Sequence, residues 1–277
     1  MFYKILFQKN SAYDIIVSEN ILEVLIMSGE KVIFCGNNPD FLDKKLTTLS
    51  DGSNGGNAFR IPSLIRSGNT LIAAIDRQSC GADWGYIELA IRRSEDGGET
   101  WSDIQIIAIP PARKTMLSDE CYGSAFYIDP CMAIAPNGDV LLLVDFYPEC
   151  KGLHKRSILD KKKAPYALYN KEMRPTLYDR DGKFYVIDKS GHVLNHRYTD
   201  TGMTVDYESG ELYSGEAYLG NIHLNGKSPS NINEAGAKTT FGAPLKAPKR
   251  SYLYLLRSSD NGKTWSKPKD ITGQVLI

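Results

Sequence analysis

Short runs of β-branched and aromatic residues alternate with turn signals along most of this 277-residue chain. Residues 71–75 follow Ser67-Gly68-Asn69, and residues 86–91 precede Asp96-Gly97-Gly98. Residues 140–146 follow Pro136-Asn137-Gly138-Asp139, a strong hairpin signal, and residues 252–257 precede Asp260-Asn261-Gly262. Closely spaced strands of this kind predict an all-β fold: a sandwich, a barrel or a propeller. No long helical period stands out. Residues 13–27 have a mixed apolar spacing that fits strands or one short helix.

One pattern recurs. Residues 94–101 (Ser-Glu-Asp-Gly-Gly-Glu-Thr-Trp) and 258–265 (Ser-Ser-Asp-Asn-Gly-Lys-Thr-Trp) both read S-x-D-x-G-x-T-W, each after an apolar run and an Arg. The Asp carboxylate can accept turn amides, the Gly can take a positive φ, and the Trp can pack a large face beneath the hairpin. The motif resembles the Asp box of β-propellers, which marks the fold rather than the chemistry.

The stretch between the two copies is too long for one blade and changes character. It carries a charge run, Lys161-Lys162-Lys163, expected to be a solvated face. Hairpin-like turns follow at Asp181-Gly182-Lys183 and Ser190-Gly191, and residues 225–238 are rich in Ser, Asn and Gly. The expected organisation is an N-terminal segment of unclear role (1–50), first propeller blades (51–150), an inserted β-rich subdomain (151–248), and the next blade (249–277).

Charge narrows the function classes. Lys+Arg and Asp+Glu balance at 33 each, so no net field favours nucleic acid or an anionic membrane. No apolar run reaches the roughly 18–20 residues of a membrane-spanning helix. The opening residues 1–7 are apolar but too short for a signal-peptide core, and Gln8-Lys9-Asn10 follow at once. The five cysteines (Cys35, Cys80, Cys121, Cys131, Cys150) form no C-x-x-C pair. Of the four histidines (His154, His192, His196, His223), only His192 and His196 are spaced as a pair. Neither a metal site nor a cofactor is expected.

The candidate chemistry lies in residues 59–101. Phe59-Arg60-Ile61-Pro62, Gly68-Asn69-Thr70-Leu71-Ile72-Ala73, Asp76-Arg77, Asp83-Trp84-Gly85 and the run from Arg92 to Gly98 together resemble the start of the catalytic domain of bacterial sialidases (neuraminidases), a glycoside hydrolase family. The resemblance implies an all-β, incomplete six-bladed β-propeller with Asp boxes and an inserted β-rich subdomain, and covers roughly residues 55–277. It also implies an exo-α-sialidase that releases terminal sialic acid from sialylated glycans or glycoproteins with retention, outside the cell or on its surface.

The resemblance assigns residues as well. Arg60 falls where the family holds the substrate carboxylate, a task suited to a planar guanidinium and its paired, charge-assisted hydrogen bonds. Asp83 falls at the acid/base carboxylate, which protonates the glycosidic oxygen and then activates the incoming nucleophile. Arg77 is expected at the sugar's O4 region, with Asp76 holding Arg77 rather than touching substrate. Asp129, in Tyr127-Ile128-Asp129, is expected at the hydroxyl and N-acetyl side. The Trp84 ring is a candidate shield for the site.

Three later stretches, 145–149, 219–222 and 252–265, resemble the larger clostridial and streptococcal sialidases, which carry an inserted β-domain. Some of those are hydrolases; others are intramolecular trans-sialidases releasing an anhydro-sugar, and Leu219-Gly220-Asn221-Ile222 tilts toward the latter. The family's tyrosine nucleophile, its activating glutamate and two further arginines are expected beyond the last residue given. A ring cut there would leave sheet edges and apolar faces bare, so the chain alone is expected to be poorly soluble or oligomeric. The alternatives are an inactive relative that binds sialoglycans weakly and an Asp-box propeller protein with an interaction role.

Overall fold

The computed structural model describes residues 4–7, 15–18, 31–34, 58–78, 83, 85–111, 124–149, 160, 162–225 and 241–275. At the N-terminus, β1 (Lys4–Phe7), β2 (Ile15–Ser18) and β3 (Lys31–Val32) form an antiparallel sheet in the order β2-β1-β3. The mixed spacing of residues 13–27 thus includes a strand at β2; the rest of that stretch lies outside the described residues.

The first blade is a four-stranded meander: β4 (Ala58–Ser67), β5 (Thr70–Gln78), β6 (Ile87–Ser94) and β7 (Gln105–Ala108). Its centre is apolar on both faces. Ala74, Leu89 and Ile91 face one core, whereas Phe59, Leu71, Ala73, Ile75 and Ala90 face another. That second face is covered by Ile33 and Phe34, both almost fully buried, and Arg92 Nη1 donates to the Ile33 carbonyl at 2.6 Å. Ile33 and Phe34 therefore cap a blade.

The second blade begins with β8 (Phe126–Ile134) and β9 (Val140–Tyr147), and then the chain leaves it. Seven strands follow as a meander in sequence order: β10 (Tyr166–Tyr169), β11 (Glu172–Tyr178), β12 (Phe184–Ile187), β13 (His192–Leu194), β14 (Asp200–Val205), β15 (Glu211–Ser214) and β16 (Ala217–Asn221). The chain returns as β17 (Tyr252–Ser258), which pairs along the whole of β9, and β18 (Lys269–Asp270) closes the sheet. A short helix, α1 (Thr272–Val275), follows. The insert thus interrupts one blade between its second and third strands. The strands within 249–277 complete that blade rather than opening the next one, because β17 hydrogen-bonds to β9, laid down before the insert.

Leu219-Gly220-Asn221-Ile222 closes the insert onto residues 241–247. Asn221 is fully buried; its side-chain Nδ2 donates to the Ser209 carbonyl at 2.7 Å, and its side-chain Oδ1 accepts the His223 backbone N–H at 2.9 Å. Gly220, at φ 114, lies so close to Gly242 and Ala243 that any Cβ would strike their backbone. A small cavity between the insert and β17, lined by His223, Tyr252 and Tyr254 among others, touches none of Arg60, Arg77, Asp83 and Asp129. Burial lowers the His223 pKa to about 4. Of the lysine run, Lys163 is half-buried beside the Tyr178 ring, Lys162 is exposed and Lys161 lies outside the described residues. Of the cysteines, Cys131 is free and exposed; the other four lie outside the described residues.

The two S-x-D-x-G-x-T-W turns make one set of hydrogen bonds. Ser94 Oγ donates to Asp96 and accepts the Gly98 amide at 2.7 Å; Ser258 Oγ donates to Asp260 and accepts the Gly262 amide at 2.8 Å. Each Asp accepts the amide and hydroxyl of the Thr four residues on, at 2.9 and 2.6 Å. Asn261 in the second turn accepts from Ser67 and Arg93, which ties blade two to the first blade.

Candidate functional site

The site forms where β4 and β8 pack against each other. Each strand carries a bulge with a non-glycine residue at positive φ directly before a proline: Ile61 (φ 54) before Pro62, and Asp129 (φ 63) before Pro130. Left-handed backbone at such residues costs about 1–2 kcal/mol, and such strain collects at functional sites. Bulges also re-aim side chains.

The β4 bulge decides which face Arg60 takes. The hairpin starts in the register Ser67↔Thr70 and holds it to Ser63↔Ala74, which continued unbroken would set Arg60 opposite Arg77. The extra residue instead sets Arg60 opposite Asp76, on the face away from Arg77. Arg60 Nη1 then donates to Asp83 Oδ1 in a short ion pair, with 19% of the Arg60 side chain and 34% of the Asp83 side chain exposed. The buried Gln78 amide lies 3.5 Å from the same Asp83 oxygen. Asp129 comes in from β8, and its backbone N–H donates to Asp76 Oδ2 at 3.4 Å.

Three of the four sequence-assigned residues therefore share one site: Arg60, Asp83 and Asp129. Arg77 does not join them. It is buried on the opposite face with Glu88, 3.2 Å from Arg77 Nη1, and Glu88 also accepts the Tyr86 hydroxyl at 3.3 Å. The expected support of Arg77 by Asp76 is also corrected, since adjacent strand residues point to opposite faces. Trp84 lies outside the described residues.

Two further carboxylates lie beside Asp129. Asp76 is fully buried, and burial, reinforced by Asp129, pushes its pKa well above the ordinary value. Asp145 sits on β9 opposite Ile128, the position in blade two that Asp76 occupies in blade one; burial and then Asp129 raise it. Asp129 is itself raised by burial and by Asp83, against the lowering effect of Arg60. Proline two residues after an aromatic-x pair, in Phe59-Arg60-Ile61-Pro62 and Tyr127-Ile128-Asp129-Pro130, was the available signal for both bulges. The arrangement offers one partly buried guanidinium, paired with Asp83, that could turn to an anion, with carboxylates of raised proton affinity around it. Among the described residues no cluster of His, Cys, Asp and Glu is arranged to hold a metal ion.

This architecture, propeller-like blades with a β-meander inserted in one of them, is the sialidase fold. No family model matches the chain. The intramolecular trans-sialidase from Ruminococcus gnavus, solved with oseltamivir carboxylate, is 23% identical with a TM-score of 0.61, over 79% of this chain and 49% of that one. The NanB sialidase from Streptococcus pneumoniae, solved with a substituted ethanesulfonate, is 19% identical with a TM-score of 0.62, over 83% and 40%. The leech intramolecular trans-sialidase, complexed with 2,7-anhydro-Neu5Ac, is 23% identical with a TM-score of 0.61, over 87% and 38%. At these identities the likeness is one of fold, and this chain spans less than half the length of each.

Proposed function

We propose that this chain carries the sialic acid carboxylate and acid/base side of an exo-α-sialidase site acting on sialylated glycans. The observation that carries the reading is the partly buried Arg60–Asp83 pair beside Asp129, with Arg60 and Asp129 at two strained bulges of a sialidase-like fold. In this reading Arg60 grips the sugar carboxylate with charge-assisted hydrogen bonds. Asp83, released as Arg60 turns to the substrate, takes up a proton from solvent, delivers it to the glycosidic oxygen and later takes one from the incoming nucleophile. Asp129 binds the sugar's polar side. Arg77 has no substrate role, because its guanidinium is committed to Glu88 inside the blade. An intramolecular trans-sialidase outcome is favoured over hydrolysis by the resemblance of residues 219–222 and by two neighbours of that activity.

The test is saturation-transfer NMR with N-acetylneuraminic acid. A charge-assisted hydrogen bond contributes about 1.5–3 kcal/mol, so Arg60→Ala should weaken binding by roughly 10–100-fold. Undiminished binding by a folded Arg60→Ala chain would sink the reading. Where turnover of a fluorogenic sialoside is detectable, Asp83→Ala should abolish it, and the released sugar, free or anhydro, decides between the two outcomes.

A further inference from the structure

Among the described residues, non-glycine residues at positive φ gather at two places besides the turn at Asn261. One is the candidate site, with Ile61 and Asp129. The other is in the insert, with Asn170, Lys171 and Tyr198. Asn170 and Lys171 form the β10–β11 turn, and Tyr198 lies in the β13–β14 turn. These two turns meet through their aromatics: the Tyr169 and Tyr198 rings stack at 5.0 Å with 27° between their planes.

Tyr198 is the anomaly. The insert repeats one turn design: Asp179, Asp188 and Asn195 each accept, through Oδ1, the backbone N–H groups two and four residues on. The fourth residue of each turn takes a positive φ. It is Gly182 (φ 84) in the first, Gly191 (φ 88) in the second and Tyr198 (φ 59) in the third. Glycine adopts this backbone freely; a tyrosine resists it. The residue is nevertheless 44% exposed, so burial does not offset the strain. Lys171 repeats the pattern, at a hairpin position that favours glycine.

We propose that the Tyr169–Tyr198 stack is a saccharide-binding platform, with the outer Tyr198 ring taking the C–H face of a pyranose. The surroundings select that ligand. The neighbours in sequence, Asn170, Lys171, His196 and Arg197, are polar and exposed, which suits hydroxyl groups around a stacked sugar. An apolar protein partner needs a contiguous apolar patch. Leu168, 64% exposed, alternates to the other face of β10 from Tyr169 and does not extend one. A glycan ligand is in keeping with the proposed function but does not depend on Arg60 or Asp83, which lie on other strands.

The test uses the whole chain and saturation-transfer NMR with lactose, alongside thermal melts. Wild type should transfer saturation to lactose, Tyr198→Phe should retain it, and Arg60→Ala should leave it unchanged, which separates this platform from the candidate site. Tyr198→Gly, the residue of the sister turns, should lose about tenfold or more in affinity while its melting temperature stays level or rises. A lower melting temperature for Tyr198→Gly means that the ring is structural and overturns the proposal. So does unchanged lactose binding in that variant, or transfer in wild type to an apolar peptide and none to lactose.

Discussion

Asp76 sits with its carboxylate between two blades, opposite Arg60 in register and against the Asp129 amide. In water such a group ionises near 3.8; here burial and Asp129 hold the proton on well above that value. The folded chain therefore binds more protons than the unfolded chain across that interval, so this residue's contribution to stability declines as pH rises through it. Asp129 and Asp145 act in the same direction, whereas Asp260, lowered to about 2 by Thr264, acts in the opposite one. Asp76→Asn keeps an acceptor for the Asp129 amide and removes the charge. Urea denaturation at successive pH values should show the variant gaining on wild type as pH rises above the ordinary carboxylate range. Parallel pH profiles for the two would refute the assignment.

At the scale of elements, the two S-x-D-x-G-x-T-W turns are separated by the insert in sequence and alike in structure. In each, a buried serine hydroxyl joins the Asp to the Gly amide. Removing that hydroxyl leaves a buried amide without its acceptor, a loss of about 1–2 kcal/mol. Ser94→Ala and Ser258→Ala should therefore destabilise by similar amounts in denaturant melts, and a large loss in one with none in the other would break the equivalence. These turns were legible because their chemistry is local: a short carboxylate, a glycine and a tryptophan at fixed offsets. The register of β4 was not. Phe59-Arg60-Ile61-Pro62 was legible as a motif, but a bulge is settled by pairing with β5, and one residue of slip decided that Asp76, not Arg77, lies beside Arg60.

At the scale of the molecule, three units share their buried faces. Blade one packs on blade two, the insert joins the same core, and Ile33 with Phe34 covers the first blade's other face. The Phe34 and Phe59 rings lie 5.4 Å apart in that cover. Phe34→Ala should cost about 3–5 kcal/mol, and hydrogen exchange should rise first along β5 and β6. A change confined to residues 31–34 would mean that the segment is only loosely applied.

The sequence by itself determined the strands, the hairpin turns, the repeated motif and the presence of an insert, because alternation and turn chemistry act over a few residues. It also singled out Arg60, Asp83 and Asp129 as candidates, because they stand in recognisable local contexts. Only the tertiary structure decided that the strand after the insert completes the interrupted blade, that Arg77 is buried with Glu88, and that Asp76 and Asp145 lie beside Asp129. Those outcomes depend on pairing between distant strands, where one inserted residue reverses every side chain's face and no local pattern records the shift.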